Sequence, residues 1–159
     1  MTETGCAMQD NAAALKCELA ADVLRTSGKL LLGVTGQSML PTVWPGDTLV
    51  IERAGIDAVS EGDLILFGRN RRFFAHRVVK KGMHGRSEVV TRGDSMPQAD
   101  PPVSESEVLG KISFILRSGK CIRPTSTLRF RERAVAALVW RSRIAARVVV
   151  GVHGLRQTN

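Results

Sequence analysis

The chain contains no tyrosine, and aromatic residues make up only 4% of its 159 residues. That argues against a surface on which nucleic acid bases stack. Its three cysteines, Cys6, Cys17 and Cys121, are an odd number, and none stands in a Cys-x-x-Cys pair. Neither a disulfide framework nor a zinc knuckle fits this pattern. His84 and His153 lie beside glycines with no ligand spacing, so no metal and no cofactor is expected. No run of eighteen apolar residues occurs, and no basic, apolar, small-residue leader opens the sequence. The expectation is therefore a chain without a membrane span or secretory signal, in the cytoplasm or peripheral to a membrane.

What the chain does hold is ordinary globular material. Hydrophobic residues at 43% and charged residues at 24% suffice for one core at this length. The net charge of +8 is unevenly placed. The stretch 117–159 carries ten Lys/Arg against Glu132 alone, a local net of +9, so the preceding residues sum to −1. Basicity thus belongs to the tail, and a tail of this kind suits an anionic surface, either membrane lipid head groups or nucleic acid phosphate. The alternative is a solvated helix face. No specific nucleic acid binding is expected.

Helical spacing of Leu15, Leu19, Val23 and Leu24 predicts a helix over Asn11–Thr26, stopped by Ser27-Gly28. From Lys29 the pattern changes to short apolar runs punctuated by glycine and proline. Strands are predicted at Leu30–Val34, Thr48–Glu52, Asp63–Gly68, Phe73–Lys80, Glu88–Thr91 and Val108–Leu116. The recurring Gly46-Asp47, Gly62-Asp63 and Gly93-Asp94 pairs read as turn chemistry. Gln98–Ser106 reads as a polar, proline-bearing loop, and Thr127–Val150 as a basic helix weakened at its end by three valines. The fold class is mainly β, with a helix on either side. The divisions are an N-terminal helix (1–28), a β domain (29–123) and a basic helical tail (124–159).

Three stretches hold residues suited to chemistry. In Gly36-Gln37-Ser38-Met39-Leu40-Pro41-Thr42, with Pro45-Gly46-Asp47 following, glycine and proline flank Ser38 and bend the backbone so that its hydroxyl is presented. Such a hydroxyl needs a base and an oxyanion donor to act as a nucleophile; alone, it reads as a turn serine. In Phe73-Phe74-Ala75-His76-Arg77-Val78-Val79, alternation puts Phe74, His76 and Val78 on one face. A lone histidine there reads as a core residue, but desolvation also favours its neutral, base-competent form. In Gly93-Asp94-Ser95 and on to Asp100, either carboxylate could orient an imidazole, and each alone reads as a turn or solvated residue.

The order of these three boxes resembles the type I signal peptidases of the serine peptidase S26 group, over roughly Leu30 to Leu116. Ser38-Met39-x-Pro41-Thr42 matches the nucleophile box, and His76-Arg77-Val78-Val79 stands where the general-base box belongs. Gly93-Asp94 through Asp100, with Val108-x-Gly110-Lys111, matches the closing box. Most bacterial members are similar there but carry lysine in place of His76. The branch typical of the endoplasmic reticulum and archaea carries histidine.

The resemblance implies a small β-barrel or sheet peptidase core of the signal peptidase type. It implies Ser38 as nucleophile, His76 as general base, Asp100 as the acid that orients it and Asp94 in support. Met39, Phe74 and Arg77 are candidate contacts for a peptide or protein substrate with small residues before the cut, although Met39 also reads as core packing beneath the serine turn and Phe74 as core or pocket wall. Gly36 stands where many members have an oxyanion-hole serine, and Lys80 and Lys81 are rival bases. The self-cleaving SOS repressors share the serine box but use lysine and carry a DNA-binding domain ahead of it, for which this sequence leaves too few residues. The remaining rival is a catalytically inactive β module that binds peptides or membranes.

Overall fold

The computed structural model describes residues 15–16, 18–82, 87–128, 132 and 134–137. Residues 15, 16 and 18–27 are helical. Then follow strands β1 (Lys29–Gly33), β2 (Thr48–Arg53), β3 (Leu64–Arg69), β4 (Arg72–Lys81), β5 (Glu88–Arg92), β6 (Val103–Ser104), β7 (Val108–Arg117) and β8 (Lys120–Ile122). They form one antiparallel sheet in the order β1-β2-β7-β3-β4-β5-β6, and β8 is paired to β7. The fold is mainly β, as the sequence predicts.

β3 explains how the sheet builds its interior. Leu64, Ile65, Leu66 and Phe67 are all buried, because this strand is covered on both faces. Leu64 and Leu66 belong to one core with Leu24, Met39, Val43, Leu49, Ile51, Ile112 and Ile115. Ile65 and Phe67 belong to a second, with Ile56, Val59, Val78, Val89 and Val103. β4 obeys the same alternation: Phe73 and Ala75 pack on the first core and Phe74 and Val78 on the second. Register shifts at Val50/Ile51, Leu66/Phe67 and Val78/Lys80 bend the long strands around these cores.

All six predicted strands occur, with no end moved by more than one residue. The sequence reading does not include β6, β8 or the 3-10 turn at Ile56–Ala58. β6 has two residues and follows Pro101-Pro102, too short for any alternation to register, so the predicted loop Gln98–Ser106 is interrupted there. β8 is fully exposed and carries no apolar pattern. It is joined to β7 by Ser118 and Gly119, both at positive φ, the geometry of a tight hairpin turn.

The N-terminal helix meets its expectation over its described part, but it packs differently. Leu24 and Ala20 face the sheet, four residues apart, whereas Leu15, Leu19 and Val23 are exposed. Residues 132 and 134–137 of the predicted basic helix are helical, and most of that prediction lies outside the described residues, as do Cys6, Cys17, His84 and His153.

β7 leaves no room for a side chain at Gly110, where it faces β2. A Cβ there would collide with the Glu52 carbonyl oxygen and lie 2.9 Å from Ile51 Cγ2. Gly110→Ala should destabilise the protein by about 1–3 kcal/mol through overpacking. The change should appear as a lower urea midpoint at unchanged slope.

Candidate active site

The turn that carries Ser38 is fixed by what lies beneath it. Met39, Leu40 and Val43 are buried, so the segment after β1 is anchored by its apolar side chains while Ser38 stays half-exposed. Backbone bonds from Leu40 N–H to Gln37 O (3.2 Å) and Val43 N–H to Met39 O (3.0 Å) close the turn. Its far end is held by Asp47, which accepts the Trp44 N–H at 2.7 Å and a bidentate pair from Arg117 at 2.8 and 2.6 Å. The Gly46-Asp47 turn therefore has an electrostatic purpose: its carboxylate ties β7 to the serine segment.

His76 lies on β4 with its ring against Phe67 and Phe74, each centroid 6.0 Å away, and is 5% exposed. Its Nδ1 is 2.6 Å from Asp100 Oδ2 and its Nε2 is 3.0 Å from Ser38 Oγ. An ionised carboxylate only accepts, so the network assigns the ring proton to Nδ1. Nδ1–H then donates to Asp100, and Nε2 is left to accept the Ser38 hydroxyl. The same Asp100 oxygen accepts the Thr91 hydroxyl at 2.6 Å, and the Asp100 N–H donates to Thr91 O at 2.8 Å. Thr91 is completely buried. It stands two residues ahead of the third sequence box, and a threonine in a strand carries no signal of such a contact.

Asp94 serves another purpose. Its side chain is 3% exposed and takes a bidentate pair from Arg77 (Nε to Oδ1 and Nη2 to Oδ2, both 2.8 Å). Thr42 donates its hydroxyl to Asp94 Oδ2 and accepts Arg77 Nη2 at 3.3 Å. Arg77 Nη1 donates to Gly62 O at 2.9 Å and Thr125 O at 2.5 Å. The neighbouring turn seats Ser38 directly: Ser95 N–H donates to Ser38 O at 3.0 Å and the Ser95 hydroxyl to Gln37 O at 2.9 Å. Gly93 approaches so closely that a Cβ would lie 2.6 Å from Ser38 O.

Of the predicted site residues, Ser38, His76 and Asp100 come together in one hydrogen-bonded line, with Asp94 next to it in a separate pair. Two of the candidate substrate contacts lie in the interior. Met39 is 4% exposed because it fills the core under the turn, and Arg77 is 7% exposed with its guanidinium consumed by internal acceptors. Phe74 is half-buried, stacked 5.4 Å from Phe67. Lys81 donates to Asp57 O and Val59 O at 2.9 and 2.7 Å, and Lys80 is exposed, so His76 is the group in contact with the serine. A cavity of about 600 Å3 beside Arg77 and Asp94, lined also by Arg92, Met96 and Leu128, includes none of Ser38, His76 and Asp100. Among the described residues no group of three or more His, Cys, Asp or Glu is placed to hold a metal ion.

A hydroxyl, an imidazole and a carboxylate aligned on an antiparallel β scaffold have the layout of a serine hydrolase triad, which is recognised by geometry and not by position in the chain. The Peptidase S24-like family matches residues 4–112, more than half of the chain and all three of these side chains, and the chain belongs to that family. No curated protein matches it.

The Arg77–Asp94 pair is buried, so removing one partner strands the other's charge. Arg77→Ala should cost about 3–5 kcal/mol, whereas an apolar pair such as Arg77→Met with Asp94→Leu should recover much of the loss. Chemical denaturation of the two variants checks both signs.

Proposed function

We propose that the protein is a serine endopeptidase that cleaves a separate polypeptide, in the manner of the signal peptidases its boxes resemble. The observation that carries this reading is the pair of contacts at His76, 3.0 Å to Ser38 and 2.6 Å to Asp100. In the proposed reaction, His76 Nε2 takes the Ser38 proton as Oγ attacks the scissile carbonyl carbon. Asp100 holds the ring and stabilises the imidazolium that forms. The developing oxyanion is met by the Ser38 backbone N–H. Collapse breaks the C–N bond, and His76 returns the proton to the departing amine. A water molecule, deprotonated by the same nitrogen, then hydrolyses the acyl ester and frees the serine.

An extended peptide suits the scaffold. β1 has β2 as its ladder partner in the described sheet and runs directly into the serine turn, so a substrate strand added along its other edge is led to Ser38. We infer from the resemblance that small residues precede the cut. Space at Gly36 is open, a Cβ meeting nothing within 4 Å, so oxyanion stabilisation at this turn rests on backbone donors.

A second reading draws on the family match: self-cleaving repressors share the serine box, and the scissile bond would then lie in the chain itself. The two readings separate in one experiment. The purified protein should stay intact over time and at any dilution, label at Ser38 with a serine-directed probe, and cleave members of a panel of peptides bearing small residues. Ser38→Ala should abolish labelling and cleavage. Loss of full-length chain at a rate independent of concentration supports self-cleavage, and absence of labelling supports a binding module.

The pH dependence follows from the base. A protonated imidazole cannot accept the Ser38 proton, so activity should be lost on acidification with a slope of about one decade per pH unit as one proton binds. A rate profile measured with the most active peptide checks this. Activity that emerges only in alkaline solution and survives His76→Ala would assign the base to a lysine.

A further inference from the structure

Asp100 sits in an awkward place for a residue that must hold a ring in register. It lies between β5 and β6 in a segment where residues 98, 99, 101 and 102 are exposed and three prolines interrupt the backbone. Proline has no N–H to donate, so Pro101 and Pro102 can be tied down only through their carbonyls. Both carbonyls are taken by one side chain: Arg69, at the end of β3, donates Nη1 to Pro101 O at 3.2 Å and Nη2 to Pro102 O at 2.7 Å.

The other side of the guanidinium is clamped. Arg69 Nε donates to Glu107 Oε1 at 2.6 Å and Nη2 to Glu107 Oε2 at 2.8 Å. Glu107 is itself fixed by the Ser104 N–H at 2.9 Å and the Ser104 hydroxyl at 3.0 Å, which locks the strut to β6. The Arg69 guanidinium also lies 5.7 Å over the Phe67 ring, and Phe67 forms part of the wall against His76. One cation thus braces the chain immediately after the carboxylate and the aromatic support behind the imidazole. An isolated surface ion pair would do neither.

We propose that Arg69 is a positioning residue that sets the Asp100 carboxylate against His76 Nδ1; the proposal rests on the serine peptidase reading above. The strut is built to persist. The hydrogen bond from Arg69, ahead of smaller contributions from Ser104, holds the Glu107 carboxyl down at about 2, from an ordinary 4.5. A carboxylate lowered in the folded state gives a contribution that is complete above 4.5 and lost as pH falls through about 2. The clamp therefore remains charged wherever the imidazole can act as a base.

The test is a double-mutant cycle between Arg69→Ala and Asp100→Ala, read as kcat and KM on a cleaved peptide and as the low-field proton resonance of His76 Nδ1–H. Arg69→Ala should lower kcat roughly 10- to 100-fold, as a misplaced group does, with KM changed less than about twofold. It should also move or broaden that resonance. Arg69→Lys, which keeps the charge but not the fork, should fall between wild type and Arg69→Ala and serves if Arg69→Ala folds poorly. In the double variant kcat should be no lower than in Asp100→Ala alone, because Arg69 acts through Asp100. Multiplicative losses, or an unmoved resonance, overturn the proposal. Wild-type kinetics in Arg69→Ala beside an impaired Asp100→Ala overturn it alone, whereas a fully active Asp100→Ala overturns it together with the role given to Asp100.

Discussion

The site depends on a buried guanidinium. All five N–H donors of Arg77 have acceptors: two on Asp94 and one each on Thr42, Gly62 and Thr125. Those partners come from the serine segment, the turn before β3, the turn after β5 and the stretch after β8. The planar fork thus holds together four regions that the sheet alone does not connect. A charge so enclosed is tolerable because it is fully paired, and the geometry that satisfies it permits few alternative arrangements of the loops. The 93–95 turn is seated against Ser38 from within this cluster, so the position of that serine inherits the rigidity of the pair.

β4 shows how neighbouring residues divide the labour. His76 and Arg77 are consecutive, and strand alternation sends them to opposite faces. The imidazole enters the aromatic side with Phe67 and Phe74 and meets Ser38 and Asp100. The guanidinium enters the polar cluster with Asp94. The register shift after Val78 then bends the strand away. One short stretch of sequence accordingly supplies both the imidazole that meets Ser38 and the brace beneath the serine turn, although the two never touch the same partners.

Much of this was legible in the sequence because it rests on local pattern. The apolar run of Leu64 to Phe67 announces the β3 strand, and alternation alone places His76 with Phe74 and Val78. The Ser38 turn could be read from its glycine and proline. Other features depend on contacts between distant positions and left no local mark. Arg77 stands beside His76 in a box that suggests substrate contact, and only tertiary pairing with Asp94 reveals it as internal. Thr91 looks like any β-branched strand residue, yet it steadies Asp100. β6 and β8 are too short or too exposed for periodicity, and their existence follows from the strands they pair with. The stripe of Leu15, Leu19 and Val23 misleads for a related reason: several helix faces are apolar, and the sheet selects the one bearing Ala20 and Leu24.

The seat of Ser38 against Gly93 is a meeting of main chain with main chain. Such a joint has no rotamers to freeze and no side-chain volume to retune, so its precision costs little entropy and is insensitive to substitutions around it. Side chains around the turn can therefore change while the Ser38 main chain stays at a constant height above the sheet. Position 93 itself has no such freedom, since a Cβ there would lie 2.6 Å from the Ser38 carbonyl oxygen.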